Sequence, residues 1–103
     1  MYVLSYWHTV PDYGEWKKVF DSDPLGRAAS GVRQFYIERP VGDEHRVIGH
    51  LEFDSLGEAE TFAGRLQEVW KKVGSSVVTD EGLTITEVLV KQELRGETAR
   101  KVA

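Results

Sequence analysis

Residues 54–74 read DSLGEAETFAGRLQEVWKKVG, and they constrain the chain more than any other stretch. Leu56, Ala59, Phe62, Ala63, Leu66, Val69, Trp70 and Val73 recur at helical period and form one apolar face. Ser55, with Glu58 three residues later, fits a capping box at the start, and Gly74 suits the end. A long helix that is apolar along one side must lie on another apolar layer. The rest of the chain has to supply that layer.

Four stretches have strand character. Residues 2–10 are rich in aromatic and β-branched side chains, and Pro11 and Asp12 stop them. Residues 32–39 alternate, residues 40–44 read as a turn, and residues 45–53 form the second arm of a hairpin. Residues 75–82 read as a loop with a turn at Asp80, Glu81 and Gly82, and residues 83–92 as the last strand. Between the first two strands, Tyr13, Trp16, Val19 and Phe20 keep helical spacing. Gly14 weakens that helix by about 1 kcal/mol relative to Ala. The stretch SDPLGRAASGVRQF follows. Asp23 suits an N-cap, Pro24 a first helical position and Gly31 a left-handed end, so one or two helical turns are expected over residues 24–30. Arg27 has no place in that capping argument.

The order is therefore β-α-β-β-α-β. Short antiparallel connections and right-handed crossovers turn it into a four-stranded antiparallel sheet with two helices on one face, a ferredoxin-like α+β domain. Leu83, Ile85 and Leu89 fall on one side of the last strand, and Val88 and Val90 on the other. Tyr2, Leu4 and Tyr6 likewise oppose Val3 and Trp7. Both sheet faces then read as apolar, which predicts a homodimer through the open sheet face.

A chain of 103 residues suits a single domain, placed over residues 1–93 with a polar C-terminal tail over 94–103. The net charge of -4 argues against nucleic acid as a partner. Without cysteine there are no disulfides and no thiolate metal sites. No apolar run approaches the roughly 20 residues of a membrane span, and the N-terminus lacks a signal-peptide pattern. No membrane partner and a cytoplasmic location are the expectation.

Several pieces together carry a resemblance: Val10-Pro11-Asp12-Tyr13 with Trp16 and Phe20, Asp23-Pro24-Leu25-Gly26-Arg27, Gly31-Val32-Arg33, and Leu51-Glu52-Phe53-Asp54 with Glu58 to Phe62. With them the chain resembles the antibiotic-biosynthesis-monooxygenase-like family of the dimeric α/β barrel superfamily, in particular its small actinobacterial-type members. The resemblance implies a small-molecule-binding protein. Its alternatives are a cofactor-independent monooxygenase acting on an aromatic polyketide-like substrate, and a non-enzymatic structural or regulatory dimer. Haem-degrading proteins of the superfamily resemble a site of Asn, Trp and an axial His. This chain has no asparagine, and Trp70-Lys71-Lys72 stands where that histidine is expected. No cofactor is expected.

Trp16, Phe20, Phe62, Leu66 and Trp70 are expected between the helices and the sheet, as core or as the wall of a site for a flat aromatic ligand. Tyr6, Trp7, His8 and Arg27 would supply polar contacts near its mouth. His8, His50 and Arg27 are the catalytic candidates. The histidines read first as structural, with a general-base role as the alternative. A metal site needs three or more converging ligands. With Glu52 the only obvious addition to the histidines, no metal is expected. A cavity of several hundred Å³ would favour a ligand-binding protein or an enzyme, and a filled core a structural dimer.

Overall fold

A computed structural model describes residues 1–94. The chain runs β1 (Tyr2–Thr9), α1 (Tyr13–Ser22), β2 (Val32–Glu38), β3 (Arg46–Phe53), α2 (Leu56–Val73) and β4 (Thr79–Glu87). The four strands make one sheet of order β2-β3-β1-β4, antiparallel throughout. This is the expected ferredoxin-like arrangement. No helix among the described residues is long and apolar enough to cross a membrane. Most of the expected tail, from residue 95 on, lies outside the described residues.

Capping residues start both helices. The Asp12 Oδ1 accepts from the Glu15 N–H at 3.2 Å, and the Ser55 Oγ accepts from the Glu58 N–H at 3.2 Å. Only that half of the anticipated capping box forms. The Glu58 carboxylate lies instead against Gly31, where a Cβ would meet its Cδ at 2.6 Å. Gly74 ends α2 at φ 72°, its N–H reaching the Trp70 carbonyl.

The SDPLGRAASGVRQF stretch is built differently from the expectation. Asp23 closes α1 from a left-handed conformation, φ 51°, and its N–H donates to the Phe20 carbonyl. Its carboxylate then accepts from the Arg27 N–H at 2.9 Å. One aspartate thus ends one element and pins the next turn. Successive tight turns follow, with Gly26 at φ 59° and Gly31 at φ 99°, rather than a helical segment.

The last strand also differs. It starts at Thr79, inside the anticipated loop, and ends at Glu87. Asp80, at φ 52°, sits where the β1–β4 register shifts between Trp7 and Thr9. Leu89 and Val90 therefore lie beyond the strand and are strongly exposed. The open face of the sheet is thus not apolar. Val3, Trp7 and Ile48 share it with Ser5, Glu38, His50 and Glu52, as the cross-strand pairing requires.

The core lies between the sheet and α2. Leu4, Leu51 and Phe53 on the strands meet Ala59, Phe62 and Ala63 on the helix. The two small alanines let α2 approach β1, β3 and β4 closely. By contrast, α1 brings no Cα within 8 Å of a strand or of α2. It reaches the sheet through the long side chains Trp16 and Phe20. Trp16 meets the His8 ring at 5.6 Å, and Phe20 meets Phe35 at 5.6 Å.

Candidate functional site

Beneath α1 the stand-off leaves a cleft of about 60 Å³, walled by α1, α2 and the floor of the sheet. Period-2 alternation along β1 sends Tyr6 and His8 down into it. Trp16 and Phe20 come from α1, Phe62, Leu66 and Trp70 from α2, and Arg27 from the turn after α1. Val77 and Val78 close one end. They come from the segment read as loop, where no pattern in the sequence marks them.

Of the residues expected to bind a ligand, Tyr6, Trp16, Phe20, Phe62 and Trp70 come together here. Trp7 does not. It faces the open side of the sheet and lies over Gly82, where a Cβ would meet its indole at 2.6 Å. Adjacent strand residues point to opposite faces, so Tyr6 and Trp7 cannot share a site. That rule was available in the sequence.

His50, a catalytic candidate, is also on the open face, opposite Ser5. Its Nδ1 lies 2.9 Å from the Ser5 Oγ and its Nε2 2.7 Å from the Glu38 Oε1, and its ring packs on Tyr36. Both nitrogens are satisfied and neither reaches the cleft. Nearby, the Glu52 carboxylate accepts from Gln34 at 2.5 Å and from Lys91 at 3.2 Å. Partial burial opposes its charge, but those two donors prevail and hold the carboxyl below its ordinary pKa.

His8 is the opposite case. It is fully buried, and neither ring nitrogen has a hydrogen-bond partner among the described residues. Aromatic rings surround it, with Tyr6 stacked at 5.4 Å and Trp70 edge-on at 5.9 Å. Burial pushes its pKa down to about 4; the residue's own backbone, close to the ring but short of hydrogen-bond geometry, opposes the shift, and the charge of Arg46 adds to it. The imidazole is therefore neutral at physiological pH. Burial also raises the pKa of Tyr6, only partly offset by the Arg27 charge, so its phenol keeps its proton and remains a donor.

Tyr6 lies in the floor because Gly49, its partner on β3, has no side chain. A Cβ there would meet the Tyr6 hydroxyl oxygen at 2.6 Å.

Arg27 is neither solvated nor free. Its guanidinium packs over Phe20 at 4.1 Å and Phe35 at 4.6 Å. It donates from Nη1 to the Phe20 carbonyl at 3.1 Å, and its Nε lies 3.5 Å from the Asp23 carboxylate. Arg27 thus lines the cleft with its Nε beside the Asp23 carboxylate.

A second groove, of about 340 Å³, runs over the start of α2 between Ser30, Glu58, Thr61 and Arg65. It is larger, but apart from the buried Phe62 its walls are exposed or half-buried side chains, and it encloses no buried polar group. Among the described residues, no group of three or more metal-binding side chains comes together.

No protein-family model matches the chain. No curated protein matches it either. Solved structures do. A candidate antibiotic biosynthesis monooxygenase from Deinococcus radiodurans superposes with a TM-score of 0.73 at 14% identity, over 93% of this chain and 100% of that one. The heme degrader MhuD from Mycobacterium tuberculosis, solved with two hemes in its active site, gives 0.67 at 21% identity, over 90% and 100%. A dimeric ferredoxin-like protein from an uncultured marine organism gives 0.60 at 15% identity, over 91% and 100%. The chain shares the ferredoxin-like fold of these structures. At these identities the likeness concerns the backbone, and the matches do not single out an actinobacterial type. The shared fold accounts for the strand order.

Proposed function

We propose that the protein binds a flat, largely apolar small molecule in the cleft beneath α1. The observation that carries this reading is the mounting of α1 on aromatic side chains over a floor that contains polar groups. In its present form the cleft is small. About 60 Å³ holds a few waters, whereas an apolar cavity that takes benzene measures roughly 150 Å³. Volume alone would favour the filled core of a structural dimer. Two considerations weigh against that. A filled core does not leave a histidine without partners, because orphaned buried polar groups are costly. And the α1 backbone stands off the sheet on its side chains, so in this reading the helix lifts as a wall that the rings follow. A haem does not fit: the rings of Tyr6, Trp16 and Trp70 crowd the one histidine on the cleft and leave no room for an axial ligand to reach a metal.

The test uses the three tryptophans. In a ¹H–¹⁵N correlation spectrum, naphthalene or 1-naphthol should shift the indole N–H signals of Trp16 and Trp70 and leave Trp7, on the other sheet face, in place. Unmoved Trp16 and Trp70 signals at saturating probe would refute the reading.

A second reading is cofactor-independent oxygenation of an aromatic substrate. It is favoured by neighbours of this fold that are candidate monooxygenases, and by the neutral His8 as a proton acceptor on the floor. Oxygen uptake on adding 1-naphthol, lost in His8→Phe, would support it.

We further propose that a second copy covers the open sheet face, as in the fold neighbours described as dimeric. The support here is the cluster of half-buried Ser5 and His50 with the buried Glu52, beside half-buried Trp7 and Ile48. Light scattering should return twice the chain mass, and a monomer would contradict it.

A further inference from the structure

We propose that the floor of the cleft selects a neutral ring compound bearing a hydroxyl group, and that His8 is the residue that makes the selection. This rests on the ligand-binding reading above and adds the chemical class of the ligand. A neutral imidazole carries one N–H donor and one lone pair. Neither is used by the described residues. The Tyr6 phenol likewise makes no hydrogen bond among them, although the residue is buried and stacks on His8. The floor thus presents a donor and an acceptor side by side in a wall of rings. A hydroxyl is both donor and acceptor. It can give its proton to the His8 lone pair while its oxygen accepts from the Tyr6 phenol.

Competing ligand classes fit less well. A ring without a polar group leaves His8 and Tyr6 unpaired in a dry site, and sites built to bond a group reject the analogue that lacks it. A carboxylate would need a cation at the floor. Arg27 stands at the mouth rather than on the floor: its charge reaches Tyr6, but its Nε faces the Asp23 carboxylate and its Nη1 donates to the Phe20 carbonyl. Arg46 starts β3 opposite Thr9, on the other face of the sheet. An anion placed beside the neutral His8 would therefore be desolvated without compensation.

The test compares naphthalene, 1-naphthol and 1-naphthoate by titration against the Trp16 and Trp70 indole signals. 1-Naphthol should bind about 10-fold tighter than naphthalene or more, with 1-naphthoate weaker than 1-naphthol. Hydrophobicity alone predicts the reverse order for the first two. In His8→Phe, the preference for 1-naphthol should fall to within about 2-fold. A direct measurement on the unaltered protein accompanies the variant: 1-naphthol should move the ¹⁵N signals of the His8 ring and leave those of His50 in place. Equal affinity for naphthalene and 1-naphthol, a preference that survives in His8→Phe, or an unmoved His8 ring would overturn the selection while leaving the cleft as a ring-binding site. Failure of all three probes to shift the indoles would overturn the cleft reading and the selection together.

Discussion

The two helices cover the same sheet by different means. On α2, Ala59 and Ala63 bring backbone close to backbone, and Phe62 fills the space beside Phe53. On α1, Trp16 is the one buried residue, and it stacks on Phe20 at 5.1 Å to form a ring layer that holds the helix away. The close-packed helix makes the core. The propped helix makes a cleft, with an imidazole left unsatisfied beneath it. Small side chains at an interface fix an element in place, whereas long ones leave room that a ligand can compete for.

Substitutions should break this symmetry unequally. Phe62→Ala removes a ring that α2 shares between the core and the wall of the cleft, and it should cost about 3–5 kcal/mol in urea unfolding. Phe20→Ala, on the half-buried side of α1, should cost less than half of that. Equal losses would mean that α1 is packed as firmly as α2.

The next effect belongs to pH. His8 titrates at 6.5 when unfolded and at about 4 when folded. Between those values the unfolded chain binds a proton that the folded one does not, so stability falls as pH drops from about 6.5 to about 4 and the loss levels off below. The contribution is about 3 kcal/mol, from 1.36 kcal/mol per pH unit. It should disappear from the difference between His8→Phe and the parent above pH 6.5 and grow steadily towards pH 4. The variant, with an apolar ring in an apolar site, should be at least as stable as the parent at neutral pH. A pH-independent difference would mean that His8 is partnered or hydrated.

Gly49→Ala should push the Tyr6 ring out of the floor and cost about 1–3 kcal/mol, the usual penalty of overpacking. It should also shift the Trp70 indole signal, since Tyr6 meets Trp70 at 6.0 Å. Asp23→Ala should cost about 0.5–2 kcal/mol through the lost bond to the Arg27 N–H, and should loosen the turn that carries Arg27 without affecting α2.

The sequence made α2 legible because capping, period and terminal glycine all agree there. It made the strand order legible because a hairpin and right-handed crossovers leave few arrangements for a β-α-β-β-α-β chain. The end of β4 was not legible. Val88, Leu89 and Val90 look like strand residues, and what stops the ladder at Glu87 is the register with β1, which begins at Tyr2. That error made the open face look apolar. Within the site, helical spacing placed Trp16, Phe20, Phe62 and Trp70 together. The contrast between His8 and His50 was hidden because it depends on strand register: opposite sheet faces are fixed by the pairing of Ser5 with His50 and of His8 with Val47. The double role of Asp23 was hidden too, since a left-handed aspartate at a helix end and an N-cap aspartate look the same in a sequence.

The central claim is that α1 is the movable wall of a ligand cleft. Amide hydrogen exchange, with and without saturating 1-naphthol, tests it most directly. The account predicts that amides in the last two turns of α1 exchange through openings much less costly than those of α2, and that 1-naphthol slows α1 selectively. Equal protection of both helices, unchanged by the probe, would contradict it.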